Sequence, residues 1–167
     1  MANDVLYKYG TVAALPITIS VLPTSTSGYK GRKSSFVSNI TRGYPEIMLY
    51  VSIREGANAV SNKSVLIKFL RGADSVGVSI GHANSFRGDN VAVSDVNCTA
   101  YNAPMVGIMN NVGTTGQILK KSFVVQNPGR YWAVMITHNM GVNLGLTVSA
   151  GVTGNYVRWS GIKPQVQ

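Results

Sequence analysis

Six carboxylates, two histidines and one cysteine are the groups with which this 167-residue chain could do acid–base, nucleophilic or metal chemistry. Asp4, Glu46, Glu55, Asp74, Asp89 and Asp95 are the whole acid supply. Glycoside hydrolysis needs two carboxyl groups flanking a scissile bond, and Asp89 and Asp95 are the pair nearest in sequence. Their spacing fixes no spatial distance, and both read as turn aspartates. His82 and His138 have no Cys, His, Asp or Glu at the spacing of a zinc site, so no metal is expected. A Ser-His-Asp triad assembles from separated positions and is not excluded by residue counts. His82, at the end of a strand candidate, reads as an ordinary surface or hydrogen-bonded histidine; His138 reads as the end of a core-facing stripe.

Gly28-Tyr29-Lys30-Gly31-Arg32-Lys33-Ser34-Ser35 is glycine-rich and basic, as a phosphate-binding loop would be. It lacks the Gly-x-x-x-x-Gly-Lys-Ser spacing, and no helical pattern follows to supply N-terminal amides. Nucleotide hydrolysis is therefore not expected, nor is any cofactor. What stays is a patch in which Tyr29 could stack while Lys30, Arg32 and Lys33 neutralise phosphates or dock on an acidic protein surface; a solvated loop would look the same. Arg42 adds a further charge, and Met105 and Met109 are contact candidates in a weakly patterned stretch, where buried packing is the competing reading.

The elements that would position these residues have period two. In Glu46 to Arg54, Ile47, Leu49, Val51 and Ile53 fall on one face and Met48, Tyr50, Ser52 and Arg54 on the other. The pattern recurs at Val65, Ile67 and Phe69; at Val76, Val78 and Ile80; at Leu119, Phe123 and Val125 around Lys121; at Trp132, Val134 and Ile136; and at Val142, Leu144, Leu146 and Val148. Shorter alternations lie at Val5, Tyr7 and Tyr9, at Ile17, Ile19 and Val21, and at Val91 and Val93, while Tyr156 to Trp159 forms the closing strand before Gly161 and Pro164. Clusters such as Arg87-Gly88-Asp89-Asn90 and Asn127-Pro128-Gly129 supply the turns. Thr24 to Tyr44, without clear strand character, reads as a long loop. The expectation is one all-β domain over residues 1–167, an antiparallel β-sandwich of about 8–10 strands, jelly-roll-like.

The net charge of +9 points to an anionic partner. Cys98 is alone, so no internal disulfide can form, and the N-terminus lacks a signal-peptide pattern. No apolar run approaches a membrane span, and cytoplasmic synthesis without membrane association is expected. Three glycosylation sequons, beginning at Asn39, Asn62 and Asn97, read as chance in an Asn- and Thr-rich chain.

Asn127-Pro128-Gly129-Arg130-Tyr131-Trp132-Ala133-Val134-Met135-Ile136 resembles the Pro-Gly-x-Tyr-aromatic strand phrase of jelly-roll and related sandwich domains, including virion proteins of tailed bacteriophages. The Pro-Gly turn is followed by aromatic residues that face opposite sides of the strand. In general character the chain resembles phage head decoration, or cement, proteins. That resemblance implies a non-enzymatic homo-oligomer made in the host cytoplasm and seated on the major capsid protein lattice, which it reinforces. Residues 1–9 and 162–167 would be its contact-forming ends. The alternatives are a coat protein that packages nucleic acid and a carbohydrate-binding module, in which Trp132, Trp159, Tyr101 or Tyr156 would stack on sugars.

Overall fold

The computed structural model describes residues 5–17, 19, 30–56, 63–72, 92–93, 105–111, 116–142, 144 and 154–166. Every regular element among them is a strand: β1 Val5–Tyr9, β2 Ala13–Ala14, β3 Lys30–Lys33, β4 Val37–Ser38, β5 Glu46–Arg54, β6 Ser64–Gly72, β7 Ala92–Val93, β8 Met105–Asn110, β9 Ile118–Gln126, β10 Tyr131–His138 and β11 Tyr156–Val166. They form two antiparallel sheets. One has the order β1-β11-β5-β9, with β2 also pairing β11; the other runs β7-β3-β10-β6-β8, with β4 also pairing β10. The chain crosses between sheets from β5 to β6, from β8 to β9 and from β9 through β10 to β11, which is jelly-roll order. All pairings are antiparallel, as alternating, turn-rich segments require.

The two inner faces make the core. β5 contributes Ile47, Leu49, Val51 and Ile53; β6 contributes Val65, Ile67 and Phe69; β10 contributes Trp132, Val134 and Ile136; β11 contributes Val157 and Trp159. Each aliphatic side chain so buried favours folding by about 1.5–3 kcal/mol. An aromatic bridge joins the sheets: Trp132 meets Trp159 edge-on at 5.0 Å and stacks with Phe69 at 5.6 Å. The expected strand Glu46–Arg54 coincides with β5, and its inward set is the expected one.

Three expectations change. Thr24 to Tyr44 was expected as loop, yet β3 and β4 fall inside it, because Lys30 to Lys33 find ladder partners in Met135 to His138 of β10. Tertiary pairing outweighs weak intrinsic β-preference there. The stretch around Met105 and Met109 is β8, an edge strand paired with β6. The closing strand does not stop before Gly161 and Pro164 but runs to Val166. Gly161 is needed where the Tyr44 ring packs onto the backbone. Gly10 N–H donates to Gly161 O at 2.8 Å, so by ladder alternation the Tyr7–Pro164 pair is a non-hydrogen-bonded one and makes no demand for the missing proline N–H. The strand candidates at 76–80 and at 146–148 lie outside the described residues.

Candidate interaction surface

Among the described residues, the groups capable of chemistry are not gathered in a cleft. Glu46 and Glu55 are the carboxylates among the described residues, and both belong to the β5 segment, on opposite faces. His138 is buried at the end of β10, where its Nδ1 accepts the Met140 N–H at 3.4 Å. Asp4, Asp74, Asp89, Asp95, His82 and Cys98 lie outside the described residues. So does Gly77-Val78-Ser79-Ile80-Gly81, which carries the Gly-x-Ser-x-Gly spacing of a nucleophile elbow within a stretch that alternates as a strand. No group of three or more His, Cys, Asp or Glu that could hold a metal occurs among the described residues.

The residues singled out for partner binding do not form one patch. Tyr29 lies outside the described residues. Lys30 and Arg32 are half-buried on β3, and Lys33 is fully buried with its Nζ 4.5 Å from the centre of the Phe36 ring. Arg42 is exposed and lies over Trp159 at 5.1 Å, closing one end of the core. Met105 is exposed at the start of β8, whereas Met109 points inward beside Val65 and is buried. β3 and β8 are separated by β10 and β6, three strand intervals or about 14 Å.

One sheet is exposed on its outer side along β9, at Arg158 and along its β1 edge, while Ser52, Ser160 and Ile162 of its outward rows are buried. On the β1-β11-β5-β9 sheet the outward rows run Tyr9, Ile162, Glu46, Gln126; then Ser160, Met48, Val124; then Arg158, Tyr50, Ser122; then Tyr156, Ser52, Lys120. Arg158 lies over the Tyr156 ring at 4.7 Å, Tyr50 Oη and Ser160 Oγ share a hydrogen bond at 3.3 Å, and Val124 is 51% exposed. The other sheet differs: Leu70, Ala133, Met135, Thr137 and Lys33, on its outward side, are all buried. Its central strand β10 is therefore dry on both faces, which explains why Trp132 to His138 read as an almost unbroken apolar run.

At the edge, β1 and the last residues of β11 extend as a two-stranded ribbon beyond Glu46, where β5 stops pairing. Leu6, Tyr7 and Tyr9 of this ribbon are 48%, 60% and 57% exposed, and Lys8 and Lys163 pair across it. The described parts of the expected contact-forming ends, 5–9 and 162–166, thus pair with each other. The period-two reading located β1, but only the register shows that its apolar residues stay uncovered. Two open grooves, of about 300 and 380 Å³, follow the seam where edge strands β8 and β9 come together without a shared ladder.

Asn39, the first sequon residue, is committed: its Nδ2 donates to Tyr44 O and Gly129 O, and its Oδ1 accepts Tyr44 N–H. The other two sequon asparagines lie outside the described residues.

No protein-family model matches the chain, and no curated protein sequence matches it. Among solved structures it is similar to the sugar-binding C-terminal domain of EclA, at 11% identity and a TM-score of 0.28 over 99% of this chain and 79% of that one. It is also similar to a chain of the cowpea mosaic virus empty virus-like particle, at 10% identity and TM-score 0.29 over 100% and 85% of the two chains. A chain of the naturally occurring empty top component of cowpea mosaic virus gives 10% identity and TM-score 0.28 over 100% and 88%. Likeness at this level establishes no family; these neighbours are viral capsid proteins and a sugar-binding domain.

Proposed function

We propose that this protein is a structural virion component that binds the outer surface of a phage capsid lattice and stabilises it. The observation that supports this reading is the set of exposed side chains on the outer side and ribbon of the β1-β11-β5-β9 sheet, which combines Leu6, Tyr7, Tyr9 and Val124 with Lys8, Lys120, Arg158 and Lys163. Such a surface suits adhesion: apolar and aromatic groups supply contact area, and cations supply attraction to an acidic partner. Every lysine and arginine except Arg87 lies among the described residues, against Glu46 and the buried Glu55. Repetition over a shell then turns modest single contacts into lasting attachment.

Two observations weigh against the alternatives. Burial of Lys33 and half-burial of Lys30 and Arg32 leave the Tyr29–Lys33 segment a poor phosphate track for a nucleic-acid coat protein. Trp132 and Trp159 are core residues, which removes both indoles from sugar stacking.

Co-sedimentation of the purified protein with undecorated capsids tests the reading. Saturable association that weakens between 50 and 500 mM NaCl, a range chosen to span roughly 14 to 4 Å of Debye length, is the expected result. Absence of association at low salt, with retention on DNA or on a glycan array instead, would replace it.

A further inference from the structure

The orphaned acceptors at one end of the sandwich point to a ligand. Glu55 follows the last residue of β5, and its backbone N–H donates to Gln117 O at 2.9 Å, so the two residues face each other across the continuation of the β5–β9 ladder. Directly opposed residues have Cβ atoms about 4.5–5.5 Å apart. Glu55 keeps the inward side of Ile53, and Gln117 that of Leu119, so both side chains turn between the sheets.

There the Glu55 side chain is fully buried, and neither Oε1 nor Oε2 has a hydrogen-bond partner; the Gln117 Oε1 is likewise buried without one. Three acceptor oxygens on these two facing residues thus have no donor among the described residues. Buried acceptors are normally satisfied, and an uncompensated carboxylate is the most costly exception. A proton on Glu55, donated to Gln117 Oε1, would still leave one carboxyl oxygen without a donor. The adjacent Arg54 belongs to the outward row, with its Nη2 3.5 Å from where a Cβ on Gly116 would stand, and Lys121 Nζ donates to Ile108 O.

We propose that Glu55 and Gln117 form a binding site for a hard divalent cation of the calcium class. Calcium accepts a bidentate carboxylate, an amide oxygen and waters or backbone carbonyls in irregular geometry, whereas magnesium demands a near-ideal octahedron. Gln117 also lines the groove of about 380 Å³ between β8 and β9, together with Lys120 and Lys121, which places one of the two ligands at a solvent-open wall. One carboxylate in a chain of net charge +9 makes this a weak site, with a Kd of roughly 0.1–1 mM. The site is independent of the lattice-binding reading; either can fail alone.

The test uses the full chain at pH 8 after removal of metal by chelator. In 10 mM CaCl2 the wild-type Tm should rise by about 3–10 °C over a NaCl control of equal ionic strength. Glu55→Gln should abolish the rise, and Gln117→Met should reduce it. Terbium luminescence, titrated on the folded protein, should saturate for wild type and lose that phase in Glu55→Gln. No calcium shift in wild type, an equal shift in Glu55→Gln, or terbium emission indifferent to that substitution would overturn the proposal.

Discussion

Glu55 sets the pH response of the fold. Burial pushes its carboxyl from 4.5 up to about 7, so the folded state holds a proton that the unfolded chain has released. The folded state then binds more protons across that window, and stability falls as pH rises through it. In calcium-free buffer the penalty is absent below about pH 4.5, grows from there, and is complete above about pH 7. Glu55→Gln should therefore raise Tm by about 2–4 °C at pH 8, as roughly 1 kcal/mol does in a chain of this size, and by nothing at pH 4.5. Thermal melts of both proteins at the two values check this, and a Tm gain independent of pH would contradict it. Gly107 and Gly161 provide a steric counterpart, since an added Cβ would run into the Phe123 and Tyr44 rings respectively. Gly107→Ala and Gly161→Ala should each cost about 1–3 kcal/mol, measured as a lower urea midpoint. The sequence left these roles hidden: nothing at Glu55 distinguishes an inward from an outward carboxylate until the ladder with Gln117 is known. A search for zinc-like His and Cys spacing also overlooks a site made of one carboxylate and one amide oxygen.

At the scale of elements, strands with strong alternation were legible and those held by their neighbours were not. β5 and β10 announce themselves through Ile47 to Ile53 and Trp132 to Ile136, where period two and apolarity coincide. β3 carries Lys-Gly-Arg-Lys, which no propensity favours as a strand; its pairing with β10 imposes it. β11 hides its length behind Gly161 and Pro164, each of which reads as a terminator until Tyr44 and the alternation of the β1 ladder are in view. The β1–β11 ribbon is the element whose function is most directly testable. Its exposed residues pack on nothing among the described core, so Leu6→Lys with Tyr9→Lys should shift Tm by less than about 2 °C. The same double variant should weaken capsid association at least tenfold in the sedimentation assay, or about 1.4 kcal/mol per site. Unchanged association would remove the ribbon from the interface.

For the whole molecule, two differently finished sheets decide what it can do. The β10-centred sheet is buried on both sides along its central strand, while the β1-β11-β5-β9 sheet exposes β9, Arg158 and the β1 ribbon and buries Ser52, Ser160 and Ile162. All-β class and sandwich architecture followed from period and turn spacing alone. Which outward residues stay exposed did not, because outward rows mixing Met48, Tyr50, Ser122 and Val124 resemble core and surface equally. The central claim is that the exposed outer side chains and ribbon of the β1-β11-β5-β9 sheet carry the function proposed above. Electron cryo-microscopy of undecorated phage capsids incubated with the protein tests it most directly. The account predicts added density on the outer shell at symmetry-related positions, with β1, β11 and the Val124 face toward the lattice; bare shells at saturating protein, or density contacting the capsid only through the β10-centred sheet, would contradict it.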